Sequence, residues 1–151
     1  MAAICILIIA AVFFSDLWIK NRIEHTLTEG ETRERCGGRI LIRRHHNRGA
    51  MLNAGQSRQK LIAVLSLILT AVAATAFVLS LGKRGNNLLR YGLAFLLGGA
   101  FSNTYDRLKR KYVVDYLSFG VRWKRLQGIV FNISDFCIMA GALMSALGAG
   151  R

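Results

Sequence analysis

Between Leu61 and Gly82 the chain carries no charged side chain across 22 residues. Wound as an α-helix at about 1.5 Å per residue, this stretch reaches roughly 33 Å, enough to cross the hydrocarbon of a bilayer. It also makes sense of an awkward composition. Hydrophobic residues make up 53% of the chain, yet 21 Lys and Arg stand against 8 Asp and Glu. Both can hold because the charge is gathered into short stretches between long apolar runs, the pattern expected when the bilayer is the solvent.

Three more runs complete the pattern. The first extends from Ala2 to about Ile19 with Asp16 as its single charge. It lacks a positive segment in front, is as long as a span and contains an acid, so a retained helix is expected and not a cleavable leader. Another runs from about Leu88 to Tyr105 and turns polar at Ser102, Asn103, Asp106 and Arg107. The last runs from about Leu126 to Leu147 with Asn132 and Asp135 inside it. Four helices and three links predict one compact bundle, residues 1–151 forming a single domain. The polar link from Lys20 to Lys60 is expected outside the membrane, with a turn at Gly37-Gly38 and a short strand over Arg39 to Arg44. Gly82 to Asn87 forms a second, turn-rich link.

Several function classes fall away. The basic balance does not imply nucleic acid, because Lys and Arg placed between apolar spans meet anionic lipid headgroups instead. Cys5, Cys36 and Cys137 are distant from one another and lack metal-binding or disulfide spacing. His25, His45 and His46 do not compose a ligand set, the His45-His46 pair reading as a headgroup-facing loop. No metal and no cofactor are expected.

The acids carry the functional signal. Ionisable groups inside spans are costly and usually face a protein interior, where they mark function. Asp135 is the most exposed to this argument, set about nine residues into the fourth predicted helix, with no base within a turn of it along that helix and Asn132 one turn earlier. Asp106, beside Arg107, reads equally well as a structural acid paired with a base near a helix end. Asp115 follows Val113-Val114 and precedes Tyr116-Leu117, so an extended segment can bring it to the mouth of the bundle. If it meets Asp135, the two carboxylates cannot both ionise cheaply, and one retains a proton. Such a pair can activate water and protonate a leaving amine. Ser134 and Cys137 lack a neighbouring base and make poor nucleophiles.

These residues resemble a known family. Gly98 to Arg107 (GGAFSNTYDR), Val113 to Leu117 (VVDYL) and Val130 to Asp135 (VFNISD), with Gly141 beyond, look like the signature of lipoprotein signal peptidase, or signal peptidase II. Asp16 with Lys20 resembles the family's D-x-x-x-K, and Asn47-Arg48-Gly49-Ala50 its N-x-G-A. The resemblance implies an all-α membrane protein, a four-transmembrane-helix bundle with a small extracytoplasmic β-sheet in the first long loop. It implies Asp115 and Asp135 as the two catalytic aspartates, with Asn47, Gly49, Asn103, Asp106, Arg107, Asn132, Asp16 and Lys20 as substrate-binding or structural support. It further implies a metal-free aspartic endopeptidase; the basic links add anionic phospholipid as a contact, and the chain is expected to act as a monomer. Such an enzyme sits in the bacterial cytoplasmic membrane with its site on the outer side. Its substrate is a prolipoprotein, cut on the amino side of a diacylglyceryl-modified cysteine. Departures fall at Ser102 and Lys111, where glycine is usual, and at Arg48, Met51 and Leu52; they bear on loop geometry and substrate fit and leave the acids intact.

One rule points the other way. Ten Lys and Arg lie between Lys20 and Lys60 and seven between Arg107 and Arg125, against three between Lys83 and Arg90 and one at Arg151. The positive-inside rule places both termini outside; the resemblance places them in the cytoplasm and is preferred, since a folded first loop weakens a rule meant for short connections. Two other readings of the acids are a proton- or cation-coupled transporter subunit using Asp135 and Asp106, and an inactive relative with structural acids.

Overall fold

The computed structural model describes residues 1–49, 56–82, 85–121, 123 and 127–150. Four helices dominate: α1 (Ala2–Thr26), α2 (Gln59–Leu81), α3 (Asn87–Lys109) and α4 (Ile133–Ala149). Helices α1 and α2 are long and apolar enough to cross a membrane, and their Leu, Ile, Ala and Val side chains are largely exposed, as an apolar solvent permits. Helix α4, at 17 residues, is apolar but shorter. Helix α1 runs a further turn and more beyond Ile19, which carries Lys20 inside it.

Three strands form one antiparallel sheet in the order β1 (Thr32–Arg35), β2 (Ile40–Asn47), β3 (Val113–Phe119). The β1–β2 hairpin turns through Cys36, Gly37 and Gly38, all at positive φ, where the expected glycine turn lies. The sheet was expected within the first long loop, but it is not confined there. Its third strand comes from the link between α3 and α4, because Val113 and Val114 are both fully buried and suit a strand covered on two sides. Strand β2 also runs to Asn47 and not only to Arg44, placing Asn47 opposite Val113 and His45 opposite Asp115. On the other face, His46 bonds Glu24 at 2.7 Å and stacks on Tyr112, clasping the sheet to α1.

Glycines set how closely the helices approach. A Cβ on Gly92 would stand 2.8 Å from the Gly141 carbonyl oxygen, and one on Gly141 would stand 2.5 Å from that of Gly92. Gly98 and Gly99 work in opposite directions: added methyls would strike Val12 of α1 at 2.7 Å and the Ser134 carbonyl oxygen of α4 at 2.5 Å. Small residues at these contacts let backbones meet without a hydrophobic driving force between helices. Helix α3 is thereby pressed between α1 and the start of α4, and Asn103, one turn beyond Gly99, is delivered to Asp135. The turn after α3 closes at Lys111, φ +72°, whose N–H returns to the Asp106 carbonyl. That is a left-handed position, which explains why glycine suits it.

Candidate active site

Asp135 arrives by helix capping. It is the third residue of α4, not a mid-helix acid as the sequence led one to expect. The helix starts late because Phe131 exchanges backbone hydrogen bonds with Leu117 of β3 at 2.7 and 2.8 Å, holding the chain extended up to Asn132. Leu126, the expected start, lies outside the described residues. Asn132 and Asp135 then form a capping box: the Asp135 N–H donates to Asn132 Oδ1 at 2.9 Å, and the Asn132 N–H donates to Asp135 Oδ2 at 2.9 Å. An N-terminal turn favours an anion, so the position suits an ionised carboxylate.

Asp115 arrives by strand pairing. It is buried in the middle of β3, and Oδ2 accepts from Asn47 Nδ2 at 3.0 Å while Oδ1 accepts from Asn132 Nδ2 at 2.7 Å. Burial, reinforced by the negative charge of Asp135, pushes its carboxyl up to about 7, against the pull of the two asparagines. Asn132 therefore touches both acids, one through its side chain and one through its backbone. Both acids line a cavity of about 200 Å³ together with Asn47, Asn103, Arg107 and Phe131. Asp135, Asn103 and Arg107 also border a second cavity of about 280 Å³ reaching Ser66, Thr70 and Leu96.

Three asparagines aim N–H groups at these carboxylates, and each is oriented by a donor behind it. Asn47 Oδ1 accepts from the Gly49 N–H at 3.1 Å, and Asn132 Oδ1 from the Asp135 N–H. Asn103 Oδ1 accepts from Lys20 Nζ at 2.9 Å while its Nδ2 donates to Asp135 Oδ1 at 2.9 Å. An amide whose oxygen is taken by an obligate donor must present its nitrogen on the other side.

The remaining expected residues form a second buried group. Lys20 lies 2.8 Å from Asp16 and 3.1 Å from Asp106, all three at 0% side-chain exposure. Asp106 meets Arg110 at 3.2 Å and accepts from the Val114 N–H at 3.2 Å. Of the bases near the helix end it is Arg110, one helical turn on, that pairs with Asp106, while Arg107 lines the cavities. Arg107 donates to the Gly49 carbonyl at 3.3 Å. Ala50, Met51 and Leu52 lie outside the described residues, so the remainder of the N-x-G-A block is not placed.

Three contributors went unassigned a role in the sequence. Asp16 Oδ1 accepts from the Tyr116 hydroxyl at 2.8 Å, and Oδ2 accepts from Ser102 at 2.6 Å and Ser134 at 2.5 Å. Tyr116 in turn accepts from the Ile133 N–H at 3.1 Å, so one carboxylate braces β3 and the start of α4 at once. Their signals are weak: two serines in apolar runs and a tyrosine beside Asp115. The Asn-x-x-Asp spacing of the capping box was the stronger cue.

The family model described as signal peptidase (SPase) II matches residues 8–149. A lipoprotein signal peptidase of Lactobacillus johnsonii is 30% identical over 94% of this chain and 88% of its own length. One of Geobacillus kaustophilus is 30% identical over 91% and 86% respectively. A solved structure titled as a bacterial membrane enzyme, studied by the in meso method, shares the fold with a TM-score of 0.82 at 23% identity, covering 97% of this chain and 87% of that one. With buried acids on the matching blocks and relatives of this kind along nearly its whole length, the chain belongs to the signal peptidase II family of aspartic peptidases.

Proposed function

We propose that Asp115 and Asp135 are the catalytic pair with which this peptidase removes signal peptides from diacylglyceryl-modified bacterial prolipoproteins, cutting on the amino side of the lipidated cysteine. The observation that carries the reading is that two buried carboxylates, both held by Asn132, face one cavity. Among the described residues neither forms an ion pair, so nothing but the other acid and the solvent of the cavity competes for the shared proton.

The ionised member takes a proton from a water as its oxygen attacks the carbonyl carbon preceding the cysteine. A tetrahedral intermediate forms with no covalent acyl-enzyme. The protonated member gives its proton to the departing amino group, and the pair ends with its roles exchanged. Asn47, Asn103 and Asn132 fix the carboxylates without supplying protons. Arg107 and Asn103, on the wall common to both cavities, are suited to hold the substrate backbone.

All four helices cross the bacterial cytoplasmic membrane in this reading, and the single domain acts as a monomer. The sheet and the site then face the extracytoplasmic side, where an exported lipoprotein presents its cleavage point. The folded first link supports that orientation despite its positive charge: Arg43 and Arg44 are tied to the Gln127 and Glu24 carbonyls and behave as parts of a folded unit. In this reading their charge, with that of Arg48, also attracts anionic phospholipid headgroups.

The test is to incubate the purified protein with a diacylglyceryl-modified prolipoprotein and follow loss of the signal peptide by size. Cleavage should proceed unchanged in the presence of chelators and serine-directed reagents. Retention of full-length substrate by a folded protein, at every pH tried, would sink the assignment.

A further inference from the structure

Asn103 differs from the other two asparagines at the acids in one respect. The donors behind Asn47 and Asn132 are backbone N–H groups of their own neighbourhood, whereas the donor behind Asn103 is the ammonium of Lys20, which belongs to another helix. An ammonium has three donors and no acceptor, so the Asn103 amide cannot turn over while Lys20 is there. Its Nδ2 is locked onto Asp135 Oδ1. A carboxylate that accepts N–H bonds is favoured in its ionised form.

We infer that Lys20, acting through Asn103, is a positioning residue that selects Asp135 as the ionised, water-activating member of the pair and leaves the shared proton on Asp115. The charged and titratable groups that act on Asp135 are Lys20 and Asp16 from α1, Arg107 from α3, and Asp115 and Tyr116 from β3. Asp16 and Asp106 offset part of the charge of Lys20 at 2.8 and 3.1 Å, and what remains attracts both Asp115 and Asp135, whereas the amide it orients bonds Asp135 alone. Arg107 borders both acids' cavity and interacts more strongly with Asp115 than with Asp135, so the selection of Asp135 is made against it by the amide and the helix terminus. The N-terminal turn of α4 acts in the same sense as Lys20, on Asp135 alone.

The inference rests on the reading of Asp115 and Asp135 as the catalytic pair, and the experiment separates the two. In an Asp115→Asn background Asp135 titrates alone, and its carboxyl stretch can be followed by infrared spectroscopy without any cleavage. Asn103→Ala and Lys20→Met should each raise that midpoint by about one pH unit, the scale of a single lost hydrogen bond to the charged form. With Asp115 restored, the acidic limb of kcat/KM should move to higher pH by a similar amount. Asp106→Asn is the control for a structural role: it should lower the unfolding temperature without raising the midpoint. If Lys20→Met does not fold alone, it is combined with Asp16→Asn and Asp106→Asn, which remove the acids it would leave unpaired. A midpoint that stays at the parent value in a folded Lys20 variant overturns the inference. Cleavage by Asp115→Asn itself would instead overturn the pair.

Discussion

Asp16 and Asp106 are as deeply buried as Asp115, yet the two groups are built on opposite principles. The first surrounds its carboxylates with an ammonium, a guanidinium, two serines and a tyrosine, and is closed to solvent. The second, among the described residues, bonds its carboxylates to neutral N–H donors beside a cavity whose wall carries Arg107. A buried charge that is fully paired stays ionised and is inert; a buried acid held by neutral donors next to another acid keeps a proton within reach. In the proposed reading the difference is between a fastener and a reagent, although both are aspartates of one helical bundle and its sheet.

The sharpest way to break this comparison is to neutralise the second group. Asp115→Asn and Asp135→Asn should each lower kcat/KM by more than about 10³-fold, since an amide cannot take up or release the required proton. Helical content measured by circular dichroism should match the parent. Substantial turnover by either folded variant would reopen the transporter and structural readings of these acids.

The first group should fail in the opposite manner. Lys20→Met or Asp106→Asn leaves a buried charge uncompensated, which costs on the order of 3 to 5 kcal/mol. Poor yield and a lowered unfolding temperature in detergent are expected, with whatever protein folds still cleaving. A fully inactive Asp106→Asn protein of normal stability would move Asp106 into the chemistry.

A smaller effect tests the groups by pH. The Asp115 carboxyl titrates near 7 when folded, against 3.8 for an ordinary aspartate. Between those values the folded state binds the extra proton, so stability falls as pH rises through the window. Asp115→Asn should therefore gain on the parent progressively from about pH 4 to about pH 7 and hold a constant difference outside it. Parallel thermal-unfolding curves across that range would mean that Asp115 is ionised as readily as a surface acid.

The smallest effect concerns the turn that joins the groups. Lys111, at φ +72°, ends the helix that carries Asp106 and starts the strand that carries Asp115. Lys111→Gly should raise stability by about 1 kcal/mol, less whatever its Nζ bond to the Leu108 carbonyl contributes, while leaving cleavage unchanged. A loss of stability would show that this side-chain bond outweighs the backbone strain.

Much of this architecture was legible in the chain. The uncharged run from Leu61 to Gly82 became α2 almost to the residue, since nothing within it favours a turn. Asp135 stood out as an acid in an apolar setting, a cost that sequence alone reveals, whereas Asp115 drew attention only through a possible meeting with it. Boundaries set by partners were harder. The start of α4 moved to Ile133 because Phe131 is claimed by β3, and a backbone pairing between distant segments leaves little trace in either. A base near the helix end was expected beside Asp106, and Arg110 supplies it, but the choice of Arg110 and distant Lys20 over neighbouring Arg107 came from the packing.

The sequence by itself thus determined the apolar spans, the identity of the acids and the glycines on which close packing depends. Local composition controls these, and each follows from the solvent a segment must face. Only the tertiary structure decided which acids are neutralised by charged partners and which accept from neutral amides beside a cavity. That choice depends on whether the nearest donor is an ammonium or an amide, and the donors come from α1, β2, α3 and the turn before α4, brought together by packing between segments far apart in the chain.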